Sequence, residues 1–343
     1  AQATAFACTF TSPAAPLLAL RWERCGADAT MGQMLGAFCG GCFEGVKTKA
    51  PDQSRYHEVA YTHLHPAPEG SLCLLGGISI EVPDEKKAKL FYSDLLGCPK
   101  TDSDVLSVTV GASRIVCPAA SQAYAWPGEV RIWVEDLRET NDMLHMLGPT
   151  LGTDLLQDFT QGVDFGMYEM LVLCPFNANS FRVAETPANR AAALRTLFPP
   201  TAAGQRRTNV LALVDAVHYV PKGMGLVETV AHFYEQALSG TVTKRSNTFC
   251  IVHFSPSKDL HQTLKFIEDP KKGSSGAGSV CIYLATHEAF KSAFEKAEVV
   301  GDLPWVVADG TCEFHVKTHA GKPLPLEHVI RWTKHKECIL KSQ

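Results

Sequence analysis

Near its C-terminal end the 343-residue chain places Glu313, His315, Lys317 and His319 at alternate positions, so a strand there would point two imidazoles, a carboxylate and an ammonium the same way. Such a set could move protons or hold an ion, and His253 lies in another strand-like run of the same region. Taken singly, each histidine also fits a hydrogen-bonded or surface imidazole. Cys39-Gly-Gly-Cys42 is the one CxxC. No second pair follows at zinc-ribbon spacing, and its flanking glycines do not suit the strand-to-helix setting of a redox dithiol.

Met31-Gly-Gln-Met-Leu-Gly-Ala-Phe-Cys-Gly-Gly-Cys42 offers a different chemistry. With translation from Met31, Gly32 would be a myristoylation candidate, and Cys39 and Cys42 neighbouring palmitoylation candidates. Two acyl chains give the stable anchoring that one does not, so peripheral membrane attachment through this region is one expectation. Gly36 stands where Ser or Thr is usual in that pattern, and a flexible Gly-rich leader is the other reading.

The chain has no P-loop, no GxGxxG after a strand, no GxSxG elbow and no HExxH. Gly223-Met-Gly225 lacks a third glycine and reads as a loop leading into a helix. A net charge of −4 without a long basic stripe argues against nucleic acid as a partner. No apolar run approaches the length of a membrane span. The 12 cysteines are scattered rather than arranged as a framework, which favours buried thiols and an intracellular, reducing compartment, cytoplasmic or organellar.

The elements that would position these groups follow one grammar. Ile78, Ile80 and Val82 alternate with Ser79 and Glu81 as in a half-buried strand, and Pro83 ends pairing. Asp84 can cap a helix whose Ala88, Phe91, Leu95 and Leu96 share a face, and Gly97 can release its C-terminus. The pattern returns at Val130–Val134 with Glu135-Asp136, Leu137, Met143, Leu144, Leu147 and a stop at Gly148-Pro149. It returns again at Leu211–Val220, with Leu226–Leu238 carrying Phe233-Tyr234 before Gly240. The fourth copy runs from Val280–Leu284 through Thr286, Ala289, Phe290, Ala293, Phe294 and Ala297 to Gly301. Each helix is followed by enough short apolar runs for three strands, giving an α+β chain of four βαβββ modules.

Pairing neighbours in sequence gives two domains, at residues 72–186 and 206–332, joined by an Ala/Pro-bearing connection, Thr186–Gln205. Residues 1–71 form an N-terminal extension, flexible or tethering, and 333–343 a polar tail.

The strand-Val-Pro-Asp-helix-Phe-Tyr-x-x-x-Leu-Gly segment at 77–97 resembles the glyoxalase I, bleomycin-resistance and extradiol-dioxygenase superfamily, the vicinal oxygen chelate fold. That resemblance, looser over the rest of 72–332, implies paired modules forming cups. In each cup a divalent metal would be held by first-strand His and last-strand Glu residues. Gly77 stands at the first module's His position, and Glu129, a candidate ligand, at the second's. The hairpin ending in Phe181 corresponds to one that ends in Glu in the family. In the third module two registers compete, one selecting Asp215 and the other His218. The fourth offers Ser279, with Cys281 on the same face, and Glu327 at the end of its last hairpin.

The resemblance therefore implies a first cup with most ligands lost. In the second, His218 and Glu327 would be two metal ligands, with Glu327 or Asp215 as general base, so any divalent metal belongs there only. Two readings follow. One is a non-catalytic protein that binds a small oxygenated metabolite or serves as an accessory or structural subunit of a protein assembly. The other is a metal-dependent lyase or isomerase resembling lactoylglutathione lyase, or a dioxygenase, active only in the second domain.

Overall fold

A computed structural model of the chain describes residues 71–122, 124–152, 155–161, 168–175, 179–197, 209–257, 259–271, 278–299 and 313–333, all within a compact unit spanning Ser54–Gln343. Gly32, Cys39, Cys42 and Gly301 lie outside the described residues.

Strand β1 (Leu72–Ser79) leads to helix α1 (Glu85–Lys89), whose N-cap Asp84 accepts the Lys87 N–H at 3.0 Å. The helix widens into a π turn over Leu90–Leu95, where Leu96 N–H donates to Phe91 O at 3.0 Å. The third unit repeats this device: α4 (Leu226–His232) passes into a π turn over Phe233–Ala237, closed by Leu238 N–H to Phe233 O. Widening changes the angle between consecutive side chains, and both residues of each Phe-Tyr pair are fully buried. Asp136 caps α2 (Leu137–Leu151) and Thr286 caps α5 (His287–Lys296).

The expected glycine stops are met unevenly. Gly97 has φ 76° after the first π turn, as read from the sequence. Helix α2 instead runs through Gly148 and Pro149 to Leu151, whose complete burial draws the last turn in, and Gly152 with φ 76° ends it. In the third unit Ser239 takes the positive φ, while a Cβ on Gly240 would meet Leu72 Cδ1 at 2.5 Å. Gly240 thus serves close packing.

The α+β class and four strand-helix-strand units stand as read. The second unit comprises β4 (Gly128–Val134), α2, β5 (Leu156–Gln161), β6 (Tyr168–Leu173) and β7 (Ser180–Glu185). The third comprises β8 (Val210–Val220), α4, β9 (Val242–Ser246), β10 (Phe249–Ser257) and β11 (Leu260–Glu268). The fourth comprises β12 (Ser279–Leu284), α5, β13 (Glu298–Val299), β14 (Glu313–His319) and β15 (Lys322–Trp332). Among the described residues the first has only β2 (Leu106–Val110) and β3 (Ser113–Cys117) after its helix, with a bridge between Lys100 and Val108 where a third strand would lie.

The units pair otherwise than their order suggests. One sheet runs β13-β14-β15-β12-β1-β3-β2 and joins the fourth unit to the first through the antiparallel β1–β12 ladder. The other runs β5-β6-β7-β4-β8-β11-β10-β9 and joins the second to the third through β4–β8. Ladders therefore cross the 186–205 connection, where sequence order had placed a division between 72–186 and 206–332. Part of that connection is helix α3 (Ala188–Leu197).

One contiguous apolar core runs across both sheets, built from residues such as Ile78, Ile132, Leu213, Leu264, Ile282 and Ile330, with α1, α2, α4 and α5 packed on it. Gln262 stitches the sheets. Its Oε1 accepts the Leu75 N–H at 3.1 Å, and its Nε2 donates to Ser113 Oγ and to Leu213 O, each at 2.8 Å.

Candidate functional site

Strand alternation gives each sheet a second face, opposite the shared core. On the eight-stranded sheet, register aligns Arg182, Arg131, Asp215, Thr263 and His253 across β7, β4, β8, β11 and β10. Beside that row stand Glu129, Val217 and Lys265. Opposite charges meet directly. Lys265 Nζ lies 2.6 Å from Asp215 Oδ2, both side chains nearly inaccessible, and Thr263 Oγ1 donates to Asp215 Oδ1 at 2.7 Å. Arg182 donates through Nε to Glu129 at 3.0 Å and through Nη1 to Glu169 at 2.7 Å, and Arg131 lies 3.4 Å from Glu169. Burial opposes the charge on Arg182, but Glu129 and Glu169 outweigh it and hold the guanidinium more firmly protonated than usual. His253 Nδ1 is 2.7 Å from His261 Nε2. Burial first, then the nearby His261 and Lys265, pushes His253 down to about 4.

On the seven-stranded sheet, Glu327 of β15 lies beside Ser279, and Ser279 beside Ser79. His315 Nδ1 approaches Glu327 Oε1 at 2.7 Å and its Nε2 approaches Glu313 Oε1 at 3.5 Å. Arg331 Nε donates to Glu313 at 2.8 Å, and Lys317 Nζ lies 3.3 Å from Glu327. This cluster is half-exposed at His315, unlike the sealed Lys265–Asp215 pair of the other sheet. Hydrogen bonds to Glu313 and Glu327 outweigh burial and raise His315 above the ordinary histidine range. The His315 bond and Arg331 bring Glu313 down to about 2. Burial pulls Glu327 upward, but its bonds to His315 and Lys317 hold it low.

His218 is not on this open face. Asp215 takes that side of β8, and His218, three residues on, points into the core, fully buried, with its ring against Trp126 and Phe266. Neither ring nitrogen has a hydrogen-bond partner among the described residues, and burial, with a contribution from His328, pushes the imidazole down to about 3. His218 and Glu327 lie in different sheets. The expected pairing of the two around one metal is therefore not formed. Phe181 likewise packs into the core against Phe91 and Tyr92, and the open-face neighbour on its strand is Arg182. A Cβ on Gly77 would sit 2.3 Å from Arg114 O, so the backbone of β3 leaves no room for a side chain there.

No family model and no curated protein matches the sequence. Solved structures do. A protein of Bacillus subtilis, provisionally named a dioxygenase, is 10% identical and superposes over 78% of this chain and 88% of its own with a TM-score of 0.53. Glyoxalase I from Zea mays, 12% identical, aligns over 80% of this chain and 94% of its own with a TM-score of 0.48. The chain has the vicinal oxygen chelate fold.

A metal in that fold needs several donors converging on one point, and the residues described here do not fit one. Among the described residues no three His, Cys, Asp or Glu side chains form such a group. Asp215 is bonded to the buried Lys265 and Glu129 to the part-buried Arg182, and a divalent ion would have to displace those cations. Glu313 and Glu327 sit on opposite edges of the His315 ring, so its two nitrogens and the carboxylates do not converge.

Sequence reasoning missed Arg131, Arg182, Lys265, Glu169 and His261. Once a first strand is fixed, its parallel last strand supplies the neighbours, so correct strand pairing was the absent signal. His315 was visible as one of four alternating polar residues. Glu327 was named from its hairpin, and its partnership with His315 came with the β14–β15 register.

Proposed function

We propose that this chain is a metal-free protein of the vicinal oxygen chelate fold that binds a small oxygenated molecule or serves as an accessory subunit, without catalysing the metal-dependent reactions associated with the fold. The observation that carries this reading is the buried Lys265–Asp215 pair, a protein ammonium occupying the electrostatic role that a metal ion would fill. Arg182 does the same for Glu129 and Glu169. The half-exposed face of the seven-stranded sheet, with Ser79, Ser279, Glu327 and His315, is the better candidate for ligand contact. Acylation at Gly32, Cys39 and Cys42 would tether such a subunit to a membrane surface, and the intact mass of the native protein tests that part.

A second reading keeps lyase, isomerase or dioxygenase chemistry in the seven-stranded sheet. It is favoured by His315, an accessible imidazole held between two carboxylates, a geometry suited to general acid–base work. Elemental analysis of protein purified without chelator separates the two, together with an assay for isomerisation of the methylglyoxal–glutathione hemithioacetal. The first reading expects neither bound metal nor turnover. A stoichiometric divalent ion that is lost on Glu327→Ala or Asp215→Ala would overturn it.

A further inference from the structure

Helix α3 lies on the open face of the eight-stranded sheet, opposite the side that carries α1 and α2. Its Ala191 and Leu194 are buried against Trp133, Ala184, Leu211, Ala212 and Val214. Trp133 and Ala184 alternate along their strands with the core residues Ile132, Val134 and Val183. A segment that joins two units by sequence thus occupies the surface on which this fold would receive a ligand.

The helix presents two guanidinium groups to that surface. Arg190 sits over the Trp133 ring, 5.2 Å from its centroid, as a cation over an aromatic face. Arg195 Nε donates to Glu135 Oε2 at 3.0 Å. Glu135, Glu185 and Thr186 form one wall of a cavity of about 530 Å³, and the helix itself forms the other through Ala188, Ala192 and Arg195. Arg190 on an indole face and Arg195 on a carboxylate make the two kinds of contact that hold a planar organic cation.

We propose that α3 is a tethered occupant of a guanidinium-binding site, and that its release opens this site to a guanidinium-bearing ligand. One long aliphatic side chain, Leu194, anchors the described helix below 2% exposure, while the strands beneath it belong to the main core. The helix can therefore open without the sheet unfolding. The Thr186 N–H to Val134 O bond holds its N-terminal end as a hinge. An external ligand must compete with a covalent neighbour at an effective concentration on the order of millimolar. The proposal concerns the sheet that carries Lys265 and Asp215, and it stands whether or not the protein binds metal elsewhere.

Two measurements on the full chain test it. In hydrogen exchange on the unmodified protein, the hydrogen-bonded amides of α3 should exchange at least about a hundredfold faster than those of β4 and β8, the signature of local opening. Equal protection would overturn the lid. In the double variant Arg190→Ala/Arg195→Ala the site is vacated, and arginine amide should raise the thermal midpoint and change tryptophan emission. The response should come at concentrations about tenfold lower than in the unmodified protein, where the tether competes. Trp133→Leu in that background should abolish the emission change, and Glu135→Gln should weaken binding. The site is refuted if norleucine amide, which lacks the guanidinium, acts equally, or if the double variant responds no better than the unmodified chain.

Discussion

Asp215 and Lys265 offer the sharpest test of whether the open face of the eight-stranded sheet is structural or ion-binding. Lys265 Nζ and Asp215 Oδ2 are 2.6 Å apart, their side chains 1% and 8% exposed, so neither has water to fall back on when the other is removed. Breaking such a pair from one side leaves an uncompensated buried charge and costs about 3–5 kcal/mol. That is a large share of the roughly 5–15 kcal/mol that holds a domain folded. Asp215→Leu and Lys265→Met should each lose about that much in urea unfolding at neutral pH. The double substitution should return to within about 1–2 kcal/mol of the parent, because replacing both charges with apolar groups removes the desolvation penalty with the attraction. Thr263, which donates to Asp215 Oδ1, accounts for part of the residue that remains. The coupling energy from the cycle should thus exceed about 3 kcal/mol. If the two losses simply add, or if Lys265→Met alone is rescued by stoichiometric zinc or manganese, the ammonium is not the structural counter-ion and the metal-free reading fails with it.

Three further outcomes follow from the same geometry. His218, His253 and His328 are held neutral by burial at about 3, 4 and 4, below the ordinary histidine value near 6.5, so the unfolded chain binds their protons first as pH falls. Their stabilisation is complete above about 6.5 and drains as pH drops toward 4, with a combined slope of about 4 kcal/mol per pH unit where all three differ. His218→Met should remove about a third of that slope and, by removing two buried nitrogens with no partner among the described residues, leave neutral-pH stability equal or higher, both read from urea midpoints across pH 4–7. Gln262→Leu should cost about 2–4 kcal/mol because it strands the Leu75 N–H and Leu213 carbonyl at the seam between the sheets; a loss below about 1 kcal/mol would mean that the seam relaxes freely. Glu327→Gln should bring the imidazole of His315 back toward the ordinary histidine value in an NMR titration, and an unchanged titration would assign the raised value to Glu313 alone.

Local structure was legible because its causes are local. Asp84, Asp136 and Thr286 cap helices because a short polar side chain reaches an N–H two or three residues on, whatever the rest of the chain does. The Gly148 stop failed for a tertiary reason: Leu151 gains complete burial by extending the helix one more turn, against the local cost of Gly148-Pro149. Helix α3 falls in the Ala/Pro-bearing connection, and with only Ala191 and Leu194 buried it has no long apolar stripe to mark it as a helix. Pro187, which precedes it and whose carbonyl accepts the Ala191 N–H at 2.9 Å, was the available sign of a helix start.

The candidate site was less legible, because its composition depends on which strands lie side by side. Four similar first strands can pair in several ways, and each way assembles a different open face from the same side chains. Pairing the third and fourth units would have set His218 and Glu327 to one purpose. Pairing β8 with β4 sets Asp215 beside Arg131 and buries His218 under Trp126. The choice between the two registers turns on the same pairing, because Asp215 and His218 belong to opposite faces of one regular stretch of β8, Asp215 beside Arg131 and His218 beside Gly128. Sequence alternation can therefore say that a strand has one polar face, but the charge opposite Asp215 is set by a residue fifty positions later, Lys265. The two open faces consequently differ in kind: one is closed over the buried Lys265–Asp215 pair and partly covered by the chain's own helix, the other keeps a half-exposed histidine between two carboxylates. A ligand that needs access and a proton donor would meet both only on the second, and for that reason ligand screens should be read out at His315.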